Sequence, residues 1–370
     1  MTADNTLKRL VRARMARTGK AYTTARLSLI QYFKEKTMKS SNRHPQDILQ
    51  SASTAAREGN LEALTMLIDD MPEVLSARDA EGETLLTLAC RWATGDIAIP
   101  PVDGTPEQHQ AVDLVIARGA DLNATNNDDR TALHCAAMAG HNDLARRLIK
   151  AGASLEGRLF DQDGGSPLAL ALFYAKTETG EILANPATPD NLRHAASLGD
   201  DLDRFKTATE LTPEASTGLD FYRPLKLFPD WERNYDDQEV LDEALTWSAR
   251  NNQVKSLASL VEMGANINAN PYRGTALLWA VYSDKVEAAT WLLDNGADPD
   301  LKHDFGGDGH GVQAVAMHLA AQHSALNCLR LLLDRGADTT IVDGAHGSTP
   351  EGWANFSGAE DSVAVLQNAE

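Results

Sequence analysis

The residues with the clearest potential for chemistry lie in and beside one glycine-rich segment, Gly306–Gly311. His303, Asp304, Asp308 and His310 place imidazole and carboxylate donors within eight residues of each other, and these ligand types bind zinc and similar metals. The segment does not fit the GxGxxG pattern of dinucleotide sites, and an enlarged polar loop needs no ligand. We predict no metal and no cofactor, with a metal-binding or enzymatic protein as an alternative.

Other catalytic patterns are absent from the sequence. There is no GxxxxGK phosphate loop, no HExxH, no GxSxG and no kinase-type set of motifs. Cys90, Cys135 and Cys328 are far apart and form no CxxC pair, so they suggest neither a disulfide framework nor a zinc knuckle. We therefore predict a non-catalytic protein of a reducing compartment, the cytoplasm.

Gly-Ala pairs recur along the chain at a near-constant spacing. Five of them are separated by 33, 112, 32 and 40 residues, where 112 corresponds to three periods with an insert and 40 to one period with a lengthened loop. A period of about 33 residues is that of ankyrin repeats. The pairs are Gly119-Ala120, Gly152-Ala153, Gly264-Ala265, Gly296-Ala297 and Gly336-Ala337.

The most regular unit runs from Thr131 to Leu155 and reads TALHCAAMAGHNDLARRLIKAGASL. It resembles the ankyrin pattern T-P-L-H-x-A-A-x-x-G-H, then a second helix, then G-A-D-x-N, with Ala132 in place of the usual proline. Thr131 is suited to cap the first helix, and Gly140 to reverse the chain after it. The resemblance implies helical hairpins that stack on their neighbours and bind partners on a concave face.

Further units of this pattern cover most of residues 46–370. About eight or nine repeats are predicted, so the expected fold is an all-α ankyrin-repeat solenoid with β-hairpin fingers and an N-terminal helical arm. We divide the chain into a basic helical arm (1–45), N-terminal repeats (46–205), an aromatic insert (206–237) and C-terminal repeats (238–370).

The insert and its surroundings carry a narrower resemblance. FYRP at 221–224, FPDW at 228–231 and NPYRGTALLWA ending at Ala280 are similar to a bacterial ankyrin-repeat subfamily that also has a basic N-terminal pair of helices. This resemblance implies a bacterial source and gives no activity. The insert is too aromatic for a solvated linker. It is either an ordered loop that fills a gap between imperfect repeats or a lid that lies in the groove.

Alignment of the repeats places three tryptophans at one position of the first helix, at the floor of the predicted concave face. An arginine and a tyrosine lie one turn further along, and a Tyr-Arg pair lies in the finger above. A stripe of large apolar residues usually packs in the core, but Trp, Tyr and Arg also dominate interface energetics. The predicted partner-binding residues are Trp247, Arg250, Tyr272, Arg273, Trp279, Tyr282 and Trp353.

Charge is distributed unevenly. Residues 1–43 hold eleven Lys/Arg and two acidic residues, so residues 44–370 carry 23 basic against 51 acidic residues, a formal charge of −28. An acidic body repels nucleic-acid phosphates and favours a basic or amphipathic protein partner. No apolar stretch is long enough for a membrane span.

The basic arm allows several functions. Its two amphipathic helices could dock on the acidic repeats, contact nucleic acid, or meet a membrane surface or another partner. We predict a non-catalytic module that binds a partner protein in the ankyrin groove. The alternative is a nucleic-acid-associated regulator that uses residues 1–43.

Overall fold

The computed structural model describes residues 45–91, 104–156, 165–184, 191–207, 210–212, 215, 236–304 and 311–369. These residues are mainly helical, and the all-α prediction is confirmed. The predicted arm, apart from Pro45, and most of the aromatic insert lie outside the described residues, and so do their predicted helices and lid.

The first compact unit comprises the described residues 45–91, 104–136 and 143–154. A 3₁₀ turn, Pro72–Leu75, follows its second helix. Residues 137–142, which end the fifth helix and begin the sixth, group with the second unit. The helices are α1 (Pro45–Arg57), α2 (Leu61–Asp70), α3 (Leu85–Ala89), α4 (Pro106–Ala117), α5 (Ala132–Ala139) and α6 (Asn142–Ala151).

The second compact unit holds the remaining described residues. Here α9 is followed by a 3₁₀ turn, Asp203–Phe205, in the place of a second helix. Two short strands precede α14. The elements are α7 (Pro167–Phe173), α8 (Thr177–Leu183), α9 (Leu192–Leu198), α10 (Asp237–Arg250), α11 (Val254–Glu262), α12 (Ala276–Tyr282), α13 (Val286–Asp294), β1 (His303–Asp304), β2 (Val312–Ala314), α14 (Ala316–Gln322), α15 (Leu326–Asp334), α16 (Pro350–Ser357) and α17 (Glu360–Gln367).

Hydroxyl side chains cap the start of several helices. The Thr275 hydroxyl accepts a hydrogen bond from the Leu278 N–H at 3.2 Å, and Thr105 and Gln108 form a reciprocal capping box at α4. Such caps satisfy N–H groups that have no partner inside the helix. The described residues contain four helical pairs before α9 and four after it, in agreement with the predicted eight or nine repeats.

Small residues let the first helices stack closely in the second unit. Helices α9, α10, α12, α14 and α16 contact one another in this order. Ala244, Ala280 and Ala320 are fully buried on these helices. An alanine brings two helix axes close together, and the neighbouring leucines then bury their side chains, at about 1.5 to 3 kcal/mol each. The tryptophan positions are fixed by this stacking.

The segment predicted as an enlarged finger begins and ends in an antiparallel strand pair. His303 of β1 pairs with Ala314 of β2, and Asp304 pairs with Val312. Residues 305–310 lie outside the described residues, and with them Asp308 and His310 of the metal alternative.

No helix within the described ranges has both the length and the apolar character needed to cross a bilayer.

Candidate functional site

Three predicted site residues, Trp247, Trp279 and Trp353, lie on the first helices α10, α12 and α16 and are buried. Their exposed fractions are 3, 5 and 4%. Trp279 and Trp353 belong to one apolar cluster with Leu319. The three rings are therefore packed in the core, and little of their surface is accessible to a partner.

Phe173 of α7 connects the first two tryptophans. Its ring centroid lies 6.0 Å from that of Trp247 in an edge-to-face arrangement, and 6.1 Å from that of Trp279. The His194 ring centroid lies 5.9 Å from that of Trp247. Edge-to-face pairs place the positive ring edge against a negative ring face. The aromatic contacts thus join α7, α9, α10 and α12.

Arg250 lies between two of these rings. Its Cζ atom is 3.3 Å from the Trp279 ring centroid and 3.9 Å from that of Phe173, and Nη1 donates a hydrogen bond to the Phe173 carbonyl oxygen at 2.7 Å. The residue is only 2% exposed. Burial, and then the positive charge of Arg273, hold the pKa of Arg250 well below its usual value. Cation–π contact offsets part of the cost of burying this charge.

Arg273 and three tyrosines interact electrostatically with the Arg250 guanidinium. Burial lowers the pKa of Arg273, and Tyr272, Tyr174 and Tyr282 partly counteract that shift. Tyr272 is buried, whereas Arg273 and Tyr282 are half-buried. The structure thus brings together six of the seven predicted residues, those other than Trp353.

Trp353 is held by the finger before α16. Its indole Nε1 donates to Asp343 Oδ2 at 2.8 Å, and Asp343 also accepts from the backbone N–H groups of Ala345, His346 and Ser348. Burial raises the pKa of Asp343, but the hydrogen bonds from Trp353 and the backbone outweigh burial and lower it. An ionised Asp343 therefore fixes both the finger and the indole.

A cavity of about 260 Å³ opens beside Trp353. Phe356, one turn further along α16, is 89% exposed. The last described repeat therefore presents a phenyl ring to solvent, and such a ring next to a cavity suits the apolar side chain of a partner. The lining residues are Gln322, His346, Ser348, Gly352, Trp353 and Phe356.

The residues of the candidate site occupy two positions that recur in the aligned first helices of the repeats. The tryptophan row consists of Leu170, Trp247, Trp279, Leu319 and Trp353, which lie four residues after the N-cap of their helix, or eleven residues after it in the longer α10. The Arg250 row lies three residues further along each helix and consists of Phe173, Arg250, Tyr282, Gln322 and Phe356. Two members of the Arg250 row, Arg250 and Tyr282, were among the residues predicted from the sequence, whereas Phe173 and Phe356 were not. Continuing the alignment by three residues would have identified them.

Reactive groups elsewhere are held in unreactive states. Burial, and then the negative charge of Glu83, raise the pKa of Cys135 to about 11, and burial also raises the pKa of Cys90 and Cys328. These thiols are protonated at neutral pH and are therefore poor nucleophiles. No group of three or more His, Cys, Asp or Glu in the described part of the chain could hold a metal ion.

Family models of ankyrin repeats match this chain over residues 105–193 and 224–303, as three copies, and over 277–333, as many copies. The matched residues exceed half of the chain. The chain belongs to the ankyrin-repeat family. Ankyrin repeats are general protein–protein interaction modules, and the fold is generally non-catalytic, although some related proteins are enzymes or channels.

The chain is also similar to ankyrin-containing proteins of other organisms. It is 24% identical to human transient receptor potential cation channel subfamily A member 1, over 66% of this chain and 21% of the channel. It is 30% identical to ankyrin repeat domain-containing protein SAT10 of Stachybotrys chartarum, over 73% of this chain and 12% of that protein. Protein PhlB of Serratia liquefaciens is 37% identical, over 24% of this chain and 36% of PhlB.

The chain thus spans a minor part of the length of each of these relatives. Their similarity reflects the repeats, and it carries no activity or partner over to this chain. The bacterial subfamily suggested by the aromatic insert stays a prediction.

Proposed function

We propose that this chain is a non-catalytic, cytoplasmic module that binds a partner protein along the first helices of its C-terminal repeats. The observation that carries the proposal is the open cavity beside Trp353, together with the 89% exposure of Phe356. A partner would place an apolar side chain in the cavity and cover the phenyl ring. Hot spots at interfaces have this form: an aromatic anchor at a well-packed pocket.

The predicted site residues then divide into two roles. Trp247, Trp279 and the Arg250 guanidinium are buried, and they would hold the first helices in register. Tyr282 and Arg273 keep exposed surface and would contact the partner, and Trp353 would form the wall of the cavity. Rigid placement of the contacting side chains reduces the entropy lost on binding.

The expected charge of the partner is opposite to the charge of residues 44–370. Residues 44–370 carry a formal charge of −28, so a basic or amphipathic partner is attracted at long range and acidic molecules are repelled. The alternative of a nucleic-acid-associated regulator rests on residues 1–43, which lie outside the described residues.

The test is quantitative partner recovery with matched surface variants. The full chain and its Phe356→Ala, Tyr282→Ala and Val342→Ala variants are immobilised, and bound proteins are compared by mass spectrometry. Val342 is 43% exposed and does not line the cavity, so it controls for loss of an exposed apolar group. We expect Phe356→Ala to lower recovery of the specific partner at least about tenfold.

Equal recovery by all four proteins would disprove the proposed surface. Substitution of Trp247 or Trp279 is a poorer test, because removing a buried indole costs about 3 to 5 kcal/mol of stability and would lower binding through unfolding.

A further inference from the structure

Two half-buried lysines, Lys176 and Lys285, occupy equivalent places in two helical pairs of the second unit. Lys176 lies directly before α8 and Lys285 directly before α13, each in the turn between the two helices of its pair. Burial, and then the positive charge of Lys285, lower the pKa of Lys176. The two ammonium groups are therefore close enough to repel each other, since this repulsion weakens with distance and is screened by water and salt.

Within the described ranges, neither lysine takes part in an ion pair. Partial burial of one positive charge beside another costs free energy unless an anion compensates it. Such a pair is unexpected in residues 44–370, where 51 acidic residues outnumber 23 basic ones. The pair is a local concentration of positive charge on an acidic protein.

Two carboxylates close to Lys285 are engaged with other donors. Asp284 accepts hydrogen bonds from Asn327 Nδ2 at 2.9 Å and from the Cys328 N–H at 3.0 Å. Glu287 accepts one from the side-chain amide of residue 252 at 2.8 Å. Both carboxylates raise the pKa of Lys285, but burial outweighs them and lowers it.

Lys176 receives no such compensation from the described residues, of which only Lys285 shifts its pKa through charge. Its side-chain stem packs against the turn after α5. A Cβ atom at Gly140 would lie 2.9 Å from Lys176 Cδ and 3.3 Å from Cγ. Packing of the methylene groups removes part of the rotamer entropy of the lysine before any ligand binds.

The charge and shape of the two ammonium groups limit the anion. Each is a compact point charge with three donors, which suits phosphate, whereas a planar carboxylate is matched better by a guanidinium. A phosphate monoester carries about 1.5 to 2 negative charges at neutral pH. It therefore balances two ammonium groups, while a carboxylate leaves one of them uncompensated.

We propose that Lys176 and Lys285 form a binding site for the phosphate group of a phosphate monoester. The site shares no residue with the cavity beside Trp353. It goes beyond the proposed function, and either proposal can fail without the other. The acidic body repels anions at long range, so binding should depend on direct contact with the two amines.

The test is protection of lysine amines from acylation in the full chain. The protein is treated with N-hydroxysuccinimidyl acetate at about pH 8, where a phosphate monoester is a dianion. Peptide mass spectrometry gives the acetylation rate of each lysine at increasing sodium phosphate, with sodium chloride at equal ionic strength as the reference. We expect saturable protection of Lys176 and Lys285 by at least about fivefold, and no protection of Lys255, which is exposed on α11.

Single variants test whether the two amines act together. In Lys285→Met, phosphate should no longer protect Lys176, and in Lys176→Met it should no longer protect Lys285. Lys255→Met is the matched control and should keep the full protection of both. Protection in the unmodified chain requires no substitution, so the proposal stays testable if one of these variants does not fold.

The phosphate group has two conceivable sources, a small molecule and a phosphorylated polypeptide. Glycerol phosphate and a short phosphoserine peptide distinguish them. Stronger protection by the peptide indicates a polypeptide, and equal or stronger protection by glycerol phosphate indicates a small molecule. Sodium acetate should protect less than either. Equal protection by acetate, or absence of saturable protection by every phosphate compound, would overturn the proposal.

Discussion

At the scale of single residues, a few polar side chains in the core fix the positions of whole helices. Arg193 of α9 and Glu243 of α10 form an ion pair with exposed side-chain fractions of 0 and 3%. Arg193 Nε donates to Glu243 Oε2 at 2.6 Å, and Nη2 lies 2.5 Å from the same oxygen. The pair fixes the register of α9 on the longest described helix.

Loss of one partner of this pair should destabilise the chain strongly. Arg193→Met removes the cation of a buried ion pair, and we expect a loss of about 3 to 5 kcal/mol in the free energy of unfolding. The Arg193→Met, Glu243→Leu double variant should lose less than the sum of the single variants. Urea denaturation of all four proteins gives the coupling free energy, and simple additivity would contradict this role.

His318 makes stability depend on pH. It accepts a hydrogen bond at Nδ1 from the Val315 N–H and donates one from Nε2 to the Ser348 carbonyl oxygen, an arrangement that requires the neutral ring. Burial lowers the pKa of His318 below 6.5, although these hydrogen bonds oppose the shift. The folded chain therefore binds this proton less readily than the unfolded chain.

The contribution of His318 is complete above pH 6.5 and is lost as the pH falls below that value. We expect the unfolding free energy to decrease from pH 6.5 toward pH 5, and the slope to become smaller in His318→Asn. His346→Gln, which removes an exposed histidine, is the control and should keep the full slope. An unchanged slope in His318→Asn would rule out this contribution.

At the scale of elements, the boundaries of the helices follow from local rules, and so the sequence predicts them. Thr131, Gly140 and Gly152 mark the start of α5, the turn after it and the end of α6, because capping and left-handed torsions depend on neighbouring residues. The contact between Arg250 and Phe173 joins residues 77 positions apart. Its geometry depends on how α7 and α10 pack, and no local pattern encodes it.

The position of Phe356 is predictable from the sequence, whereas its exposure is not. Its position in the Arg250 row is readable from the repeat alignment, but its exposure depends on how the described helices pack. The burial of the tryptophans likewise follows from the packing of whole helices. Residue type alone therefore does not distinguish a tryptophan in the core from one at an interface.

Glycines between the elements should differ in their tolerance of a side chain. Gly82 and Gly296 both have positive φ, 75° and 94°, but a Cβ at Gly82 would lie 2.8 Å from the Asn127 backbone nitrogen, whereas a Cβ at Gly296 meets nothing within 4 Å. We expect Gly296→Ala to cost about 1 to 2 kcal/mol through backbone strain alone, and Gly82→Ala to cost more. Urea denaturation measures both, and equal costs would contradict the steric argument.

At the scale of the whole molecule, charge governs how a partner approaches. The formal charge of −28 on residues 44–370 should accelerate association with a basic partner at low ionic strength, because the Debye length shortens from about 14 Å to about 4 Å between 50 and 500 mM salt. We expect the association rate constant to fall at least about tenfold over this range, with a smaller change in the dissociation rate. Stopped-flow measurement that finds a salt-independent association rate would contradict electrostatic steering.

Hydrogen–deuterium exchange of the full chain, with and without its recovered partner, tests most directly whether a partner binds the first helices of the C-terminal repeats at the cavity beside Trp353. We expect slower exchange in α14, α16 and residues 343–349 when the partner is bound. Protection confined to the second helices α15 and α17 would contradict it.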